Sequence, residues 1–214
     1  MTSAQRPRLY LVTPLLGDTA SFLRDLGPVL DAGDIAAVLL RLEPADERTL
    51  TNRAKSVAAI VQRRDMALLL DGHPTLAARA GADGAHLFGI EAFTEAAASL
   101  KPDRIAGAGG LRSRHDAMLA AEAGADYVMF GDPDRRGNRP PLEAVTDRLT
   151  WWSELFEPPC VGYAESRDEI APLVQAGADF IAIGEWLWMQ EQGPAAGVAA
   201  VTAFLAQAPV AQAD

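Results

Sequence analysis

Short apolar runs alternate along this chain with longer segments in which apolar residues recur every three or four positions. The runs read as buried strands and the longer segments as amphipathic helices. Arg8-Leu-Tyr-Leu-Val-Thr13 predicts the first strand, closed by Pro14. A helix bent at Pro28 is expected over Ser21 to Leu30, then a strand over Ile35 to Leu42. Asp46 to Arg63 follows as a long amphipathic helix. Further strands are expected at 67–70, 85–88, 104–108, 127–130 and 180–183, with one beginning at Cys160-Val-Gly162. Helices are expected from Pro74, at 92–100, after Ser113, at 142–156, between Ser166 and Gln175, and at 195–206. Ser113 is placed as an N-cap, and Ser166 with Glu169 as a capping box.

The segment Ala-Gly-Ala-Asp recurs at 80–83, 123–126 and 176–179, with a weaker copy at Ala32-Gly33-Asp34. Each copy follows a helical stretch and precedes an apolar run. The glycine suits the left-handed position just past a helix end, where a Cβ would clash. The apolar runs are continuous, as in strands covered on both faces, so the segment marks the helix-to-strand joint of a βα repeat. Eight strands alternating with eight helices imply a parallel sheet closed into a (β/α)8 TIM barrel. One domain is expected over residues 1–214, with 1–7 and 207–214 as frayed tails. An open doubly wound sheet is the alternative, but no Gly-x-Gly-x-x-Gly follows the first strand.

The 214 residues, 49% of them hydrophobic, are enough for one well-buried domain. A net charge of −10 argues against binding nucleic acid or an anionic membrane. It also disfavours a phosphate-bearing substrate, unless local backbone N–H groups and a few cations override the global field. The single cysteine, Cys160, forms no intrachain disulfide. No apolar run approaches the roughly 20 residues of a membrane span, and the N-terminus lacks a signal-peptide core. A soluble, cytoplasmic protein is expected.

In such a barrel the chemistry sits at the C-terminal ends of the strands. Arg41 and Glu43, two apart on a strand, share a face; they hold an anionic substrate group or form an ion pair at the mouth. Asp71, Glu91 and Asp132 bring carboxylates to successive strand ends, as Mg²⁺ ligands or as solvated loop acids. Gly107, Gly109 and Gly110 let backbone N–H groups approach a ligand with Arg112 as counter-charge, or else make a tight turn. His73, directly after the third strand, is the candidate acid or base, whereas His86 reads as a core histidine and His115 as a surface one. Two tryptophans in Gly184-Glu-Trp-Leu-Trp188 suit an aromatic ligand, a subunit contact or a lid packed on the barrel.

Five segments, taken in order, resemble the thiamine phosphate synthase family, which includes a thiazole tautomerase branch. They are Leu9-Tyr-Leu-Val-Thr13, Leu39-Leu-Arg41, Gly81-Ala-Asp-Gly-Ala-His-Leu87, Gly124-Ala-Asp-Tyr-Val128 and Gly177-Ala-Asp-Phe-Ile181. The resemblance runs from about residue 8 to residue 190. It implies a (β/α)8 barrel that joins a hydroxymethylpyrimidine pyrophosphate to a thiazole phosphate, with Mg²⁺ and loss of pyrophosphate. It implies Arg41 as the substrate-orienting cation, Asp71 and Glu91 as metal ligands, and self-association. The phosphate-facing lysine of the family stands as Glu43, its Ser-x-His as Gly110-Leu-Arg112, and its phosphate turns as Gly162-Tyr-Ala-Glu-Ser166 and Gly184-Glu-Trp-Leu187. The expectation is therefore a divergent member with altered phosphate sites. Catalytic roles fall to His73 and Arg41, and substrate contacts to Arg41, Gly109, Gly110, Arg112 and Trp186. The alternatives are a non-catalytic barrel binding a heteroaromatic ligand or protein partner, and an enzyme retuned to a less phosphorylated substrate.

Overall fold

A computed structural model describes residues 6–134 and 136–208. Eight parallel strands close into a barrel in sequential order. They are β1 (Arg8–Leu16), β2 (Ile35–Leu42), β3 (Ala67–Asp71), β4 (Gly84–Phe88), β5 (Ile105–Gly109), β6 (Tyr127–Phe130), β7 (Cys160–Ala164) and β8 (Phe180–Ile183). The helices around it are α1 (Thr19–Asp31), α2 (Glu47–Val61), α3 (Pro74–Ala80), α4 (Ile90–Leu100), α5 (Arg114–Glu122), α6 (Leu142–Leu155), α7 (Ile170–Gln175), a short α8 (Glu185–Trp188) and α9 (Pro194–Gln207). The (β/α)8 expectation holds. Among the described residues, no helix is long and apolar enough to cross a membrane.

Strand periodicity divides the core in two. One set of strand residues packs outward against the helices with Phe93, Leu149 and Trp152. The alternate set, including Tyr10, Val12, Leu39, Leu69, Tyr127, Met129 and Tyr163, fills the barrel interior.

The three Ala-Gly-Ala-Asp joints share one geometry. Gly81, Gly124 and Gly177 have φ of +71°, +90° and +88°, the left-handed turn that ends each helix. Each aspartate then grips the start of the preceding odd-numbered strand twice. Asp83 donates its N–H to the Leu68 carbonyl while its carboxylate accepts the Leu68 N–H at 2.7 Å. Asp126 does the same with Ala106 (2.7 Å to its N–H), and Asp179 with Cys160 (2.8 Å). These groups lie at the N-terminal end of the barrel and satisfy backbone donors that have no neighbour there.

Three expectations change. β1 does not stop at Thr13 but continues through Pro14 to Leu16. Its register against β2 shifts between Val12 and Leu15, and the Thr13 hydroxyl accepts the Arg41 N–H at 3.0 Å. A bulge tolerates a residue without a backbone donor. Ser166 makes no side-chain cap. Glu169 instead accepts the Glu165 N–H at 2.9 Å and pairs with Arg139 at 2.8 Å. Finally, Pro7 and Ala208 are buried, so the ends pack further out than frayed tails would. Residues 1–5 and 209–214 of the expected tails lie outside the described residues.

Candidate active site

The strand residues that point inward near the C-terminal ends carry the polar chemistry. Arg41 continues the inward stripe of Ala37 and Leu39 on β2, and Asp71 continues that of Ala67 and Leu69 on β3. His86 lies opposite Asp71 in the register and inward of Ala85 and Leu87, which face the helices. Tyr163 follows Val161 on β7. These residues, with Asp132 just beyond β6, line a cavity of about 580 Å³ that opens at the mouth and runs along α4.

Among the described residues, Arg41 is the cation that lines this cavity. It stands 3.8 Å from Asp71 and 3.4 Å from Glu185. Both partners are solvent-accessible, so the pairs hold it loosely and leave it available to an incoming anion. The Tyr163 phenol is pushed up to about 12, chiefly by burial, with Arg41 pulling it down and Glu185 pushing it up. It therefore faces the cavity as a neutral hydroxyl.

His86 is buried and hydrogen-bonded. Its Nδ1 lies 2.8 Å from the Tyr127 hydroxyl, which lies 2.7 Å from that of Tyr10. The imidazole stacks on Tyr127, with ring centroids 5.7 Å apart. Nε2 lies 3.7 Å from Asp132 Oδ2. Glycines on β5 make room for this assembly. A Cβ at Gly107 would fall 2.1 Å from the Tyr127 ring, and one at Gly109 would fall 2.3 Å from His86 Nε2.

Several expected site residues lie elsewhere. Gly72, at φ +71°, turns the chain after β3, so His73 becomes the N-cap residue of α3 and does not line the cavity. The histidine that does is His86, read from sequence as a core residue; it is both. Strand parity was the signal available, since His86 alternates with outward-facing Ala85 and Leu87. Gly109 serves packing, and the Gly110 N–H is already donated to Asp132 at 2.9 Å. Arg112 lines a smaller lateral pocket of about 250 Å³ with Gly110, Arg139 and Arg148. The Trp186 indole N–H donates to the Ala164 carbonyl at 3.0 Å, and the ring packs on the outer core. That leaves it as part of a lid on the barrel and not a wall of the cavity. Glu91 is exposed in the first turn of α4, outside the cavity lining. Among the described residues no three His, Cys, Asp or Glu side chains cluster as a ready-made metal cage.

These features define a single-domain (β/α)8 barrel with a small-molecule cavity at its C-terminal mouth, where Arg41, Asp71, His86, Asp132 and Tyr163 converge. A family model described as thiamine monophosphate synthase matches residues 9–187, and the chain belongs to that family. A thiamine-phosphate synthase of Rhodospirillum centenum is 44% identical over 90% of this chain and 94% of the relative. One of Hyphomonas neptunium is 38% identical over 93% and 94%. Among solved structures, a thiamine phosphate pyrophosphorylase from Pyrococcus furiosus superposes with a TM-score of 0.78 at 21% identity, covering 95% of this chain and 98% of that one. That likeness concerns the fold.

Proposed function

We propose that the protein is a thiamine-phosphate synthase, joining a hydroxymethylpyrimidine pyrophosphate to a thiazole phosphate. The observation that carries this reading is the end-to-end match to curated synthases together with Arg41 at the mouth of the cavity. In the reaction the methylene carbon–oxygen bond of the pyrimidine breaks and its electron pair leaves with pyrophosphate. The thiazole nitrogen supplies the pair for the new carbon–nitrogen bond.

Arg41 orients the departing pyrophosphate and offsets its charge; a guanidinium suits paired phosphate oxygens. The buried Tyr163 hydroxyl donates a hydrogen bond into the same space. Mg²⁺ takes one or two carboxylates and completes its shell with water and substrate phosphates. Asp71 on the cavity wall fits that requirement, while Glu91 stands outside the lining. Bound there, the ion would neutralise charge on the leaving group. The barrel interior beneath, filled by Leu69, Met129 and Val161, keeps bulk water from the reacting carbon.

One observation favours a second reading. Exposed Glu185 and Glu165 follow β8 and β7, and Glu185 is itself an ion-pair partner of Arg41. This acidic rim suits a thiazole partner carrying less phosphate. Incubating the protein with the pyrimidine pyrophosphate, Mg²⁺ and either thiazole phosphate or the unphosphorylated thiazole alcohol separates the readings. Product from thiazole phosphate supports the synthase. Product from the alcohol alone supports the retuned enzyme. Binding without product from either supports a ligand-binding barrel.

A further inference from the structure

The hydrogen-bond chain under the cavity has only one fully satisfied direction. Burial pushes the pKa of both Tyr10 and Tyr127 well above the usual phenol range, so each keeps its proton. Among the described residues the Tyr10 hydroxyl has one partner, Tyr127. Were Tyr127 to donate to Tyr10, the Tyr10 hydroxyl would be a buried donor with no acceptor. Tyr10 therefore donates to Tyr127, and Tyr127 donates to His86 Nδ1. A neutral imidazole accepting at Nδ1 carries its proton on Nε2. The tautomer of His86 is thus set from inside the barrel by two tyrosines that do not themselves reach the mouth.

The Nε2–H so fixed stands beside Asp132 Oδ2, 3.7 Å away, and both residues line the cavity. The separation is too long for them to satisfy one another. Asp132 is held in place by the Gly110 N–H, at 3.2 Å to Oδ1 and 2.9 Å to Oδ2. The cavity wall therefore presents a donor next to a charged acceptor. Its complement is a ring nitrogen next to an exocyclic amino group: the nitrogen accepts from His86 and the amino N–H donates to Asp132. We propose that His86 and Asp132 read this amidine edge of an aminopyrimidine, making Asp132 a specificity-determining residue and Tyr127 a positioning one. Phe88 lines the same cavity with its ring exposed, and supplies an aromatic surface beside the edge. The inference rests on the synthase reading for the identity of the ring. The donor–acceptor pairing itself rests on the geometry alone.

Titration calorimetry tests the proposal, using a hydroxymethyl aminopyrimidine and the same pyrimidine lacking its amino group. Wild-type protein is expected to prefer the amino compound by about tenfold or more, the size of one charge-assisted hydrogen bond. Asp132→Asn retains an acceptor for the Gly110 N–H but loses the charge, and is expected to lose most of that preference. Nitrogen NMR supplies an independent readout, with the His86 signal assigned through His86→Gln. The expected wild-type tautomer is protonated on Nε2, and Tyr127→Phe is expected to shift it toward Nδ1. Equal binding of the two pyrimidines to wild type, or an Asp132→Asn variant with undiminished preference, overturns the edge assignment while leaving the synthase reading standing. A wild-type His86 protonated on Nδ1 overturns the role of the tyrosines. Absence of binding by either pyrimidine, with no turnover of the pyrophosphate, overturns the synthase reading and this inference with it.

Discussion

Replacing Gly109 with alanine would place a methyl group 2.3 Å from His86 Nε2 and 2.4 Å from Asp132 Oδ2. Ordinary carbon contacts to such atoms begin near 3.4 Å, so each neighbour must retreat by roughly 1 Å. His86 is the less mobile of the two, being buried and tied to Tyr127 at 2.8 Å. Asp132 lies past the end of β6 and is the group that yields, breaking its contact with the Gly110 N–H. Overpacking costs about 1–3 kcal/mol, and the disturbed charge-assisted bond adds ~1–2 kcal/mol. A loss of ~2–5 kcal/mol is therefore expected, read as a lowered urea midpoint with unchanged slope. Substrate turnover should fall by up to about a hundredfold, since a displacement of this size at the reacting geometry is that costly. Gly72→Ala is the control. It also strains the backbone, at φ +71°, but nothing lies within 4 Å of its Cβ. It should cost only ~1 kcal/mol. If Gly109→Ala matched wild type in both urea midpoint and turnover, the packing of His86 and Asp132 over β5 would be refuted.

Three further outcomes follow from named contacts. Arg41→Ala is expected to raise the KM for the pyrimidine pyrophosphate by about ten- to a hundredfold, the value of ~1.5–3 kcal/mol for a hydrogen bond to a charged group, with Arg41→Lys recovering part of it; unchanged steady-state kinetics would remove Arg41 from the site. The chain has three tyrosines, and all have raised pKa values, with burial the leading cause in each. Because the folded values lie above the unfolded value of about 10, their contribution to stability is complete below pH ~10 and is lost as pH climbs through the folded values. An ultraviolet titration should show no phenolate step near pH 10 before unfolding, and a reversible step in the folded protein would contradict the burial assigned here. Asp83→Ala removes the carboxylate that accepts the buried Leu68 N–H at 2.7 Å and should cost ~1.5–3 kcal/mol by urea unfolding; Asp83→Asn should cost less and leave turnover unchanged, since the joint lies at the barrel end away from the cavity.

What the sequence disclosed depended on how far apart the interacting residues stand. The joints were readable because a glycine past a helix end is a local requirement, and Gly81, Gly124 and Gly177 all adopt the left-handed turn their neighbours suggested. The partners of the joint aspartates were not, because each lies 15 to 20 residues upstream. The same divide runs through the site. Arg41 and Asp71 sit at the ends of strands whose inward phase can be counted along the chain, and both arrive at the cavity. His73 looked equally well placed by position, yet Gly72 intervenes with a turn that aims it at a helix start. His86 looked structural because it lies inside an apolar run, and it is buried, but the interior of a barrel meets the cavity at its upper layer, so burial and access to substrate coincide there. The glycines of β5 carry the point furthest. Glycine in a loop-entry sequence invites a ligand; these two are glycine because Tyr127 and His86, from the strands on either side, occupy the space that side chains on β5 would need. A cause located on neighbouring strands leaves no mark in the local pattern, and it is this cross-strand packing that sets the tautomer of His86 and the chemistry offered at the mouth.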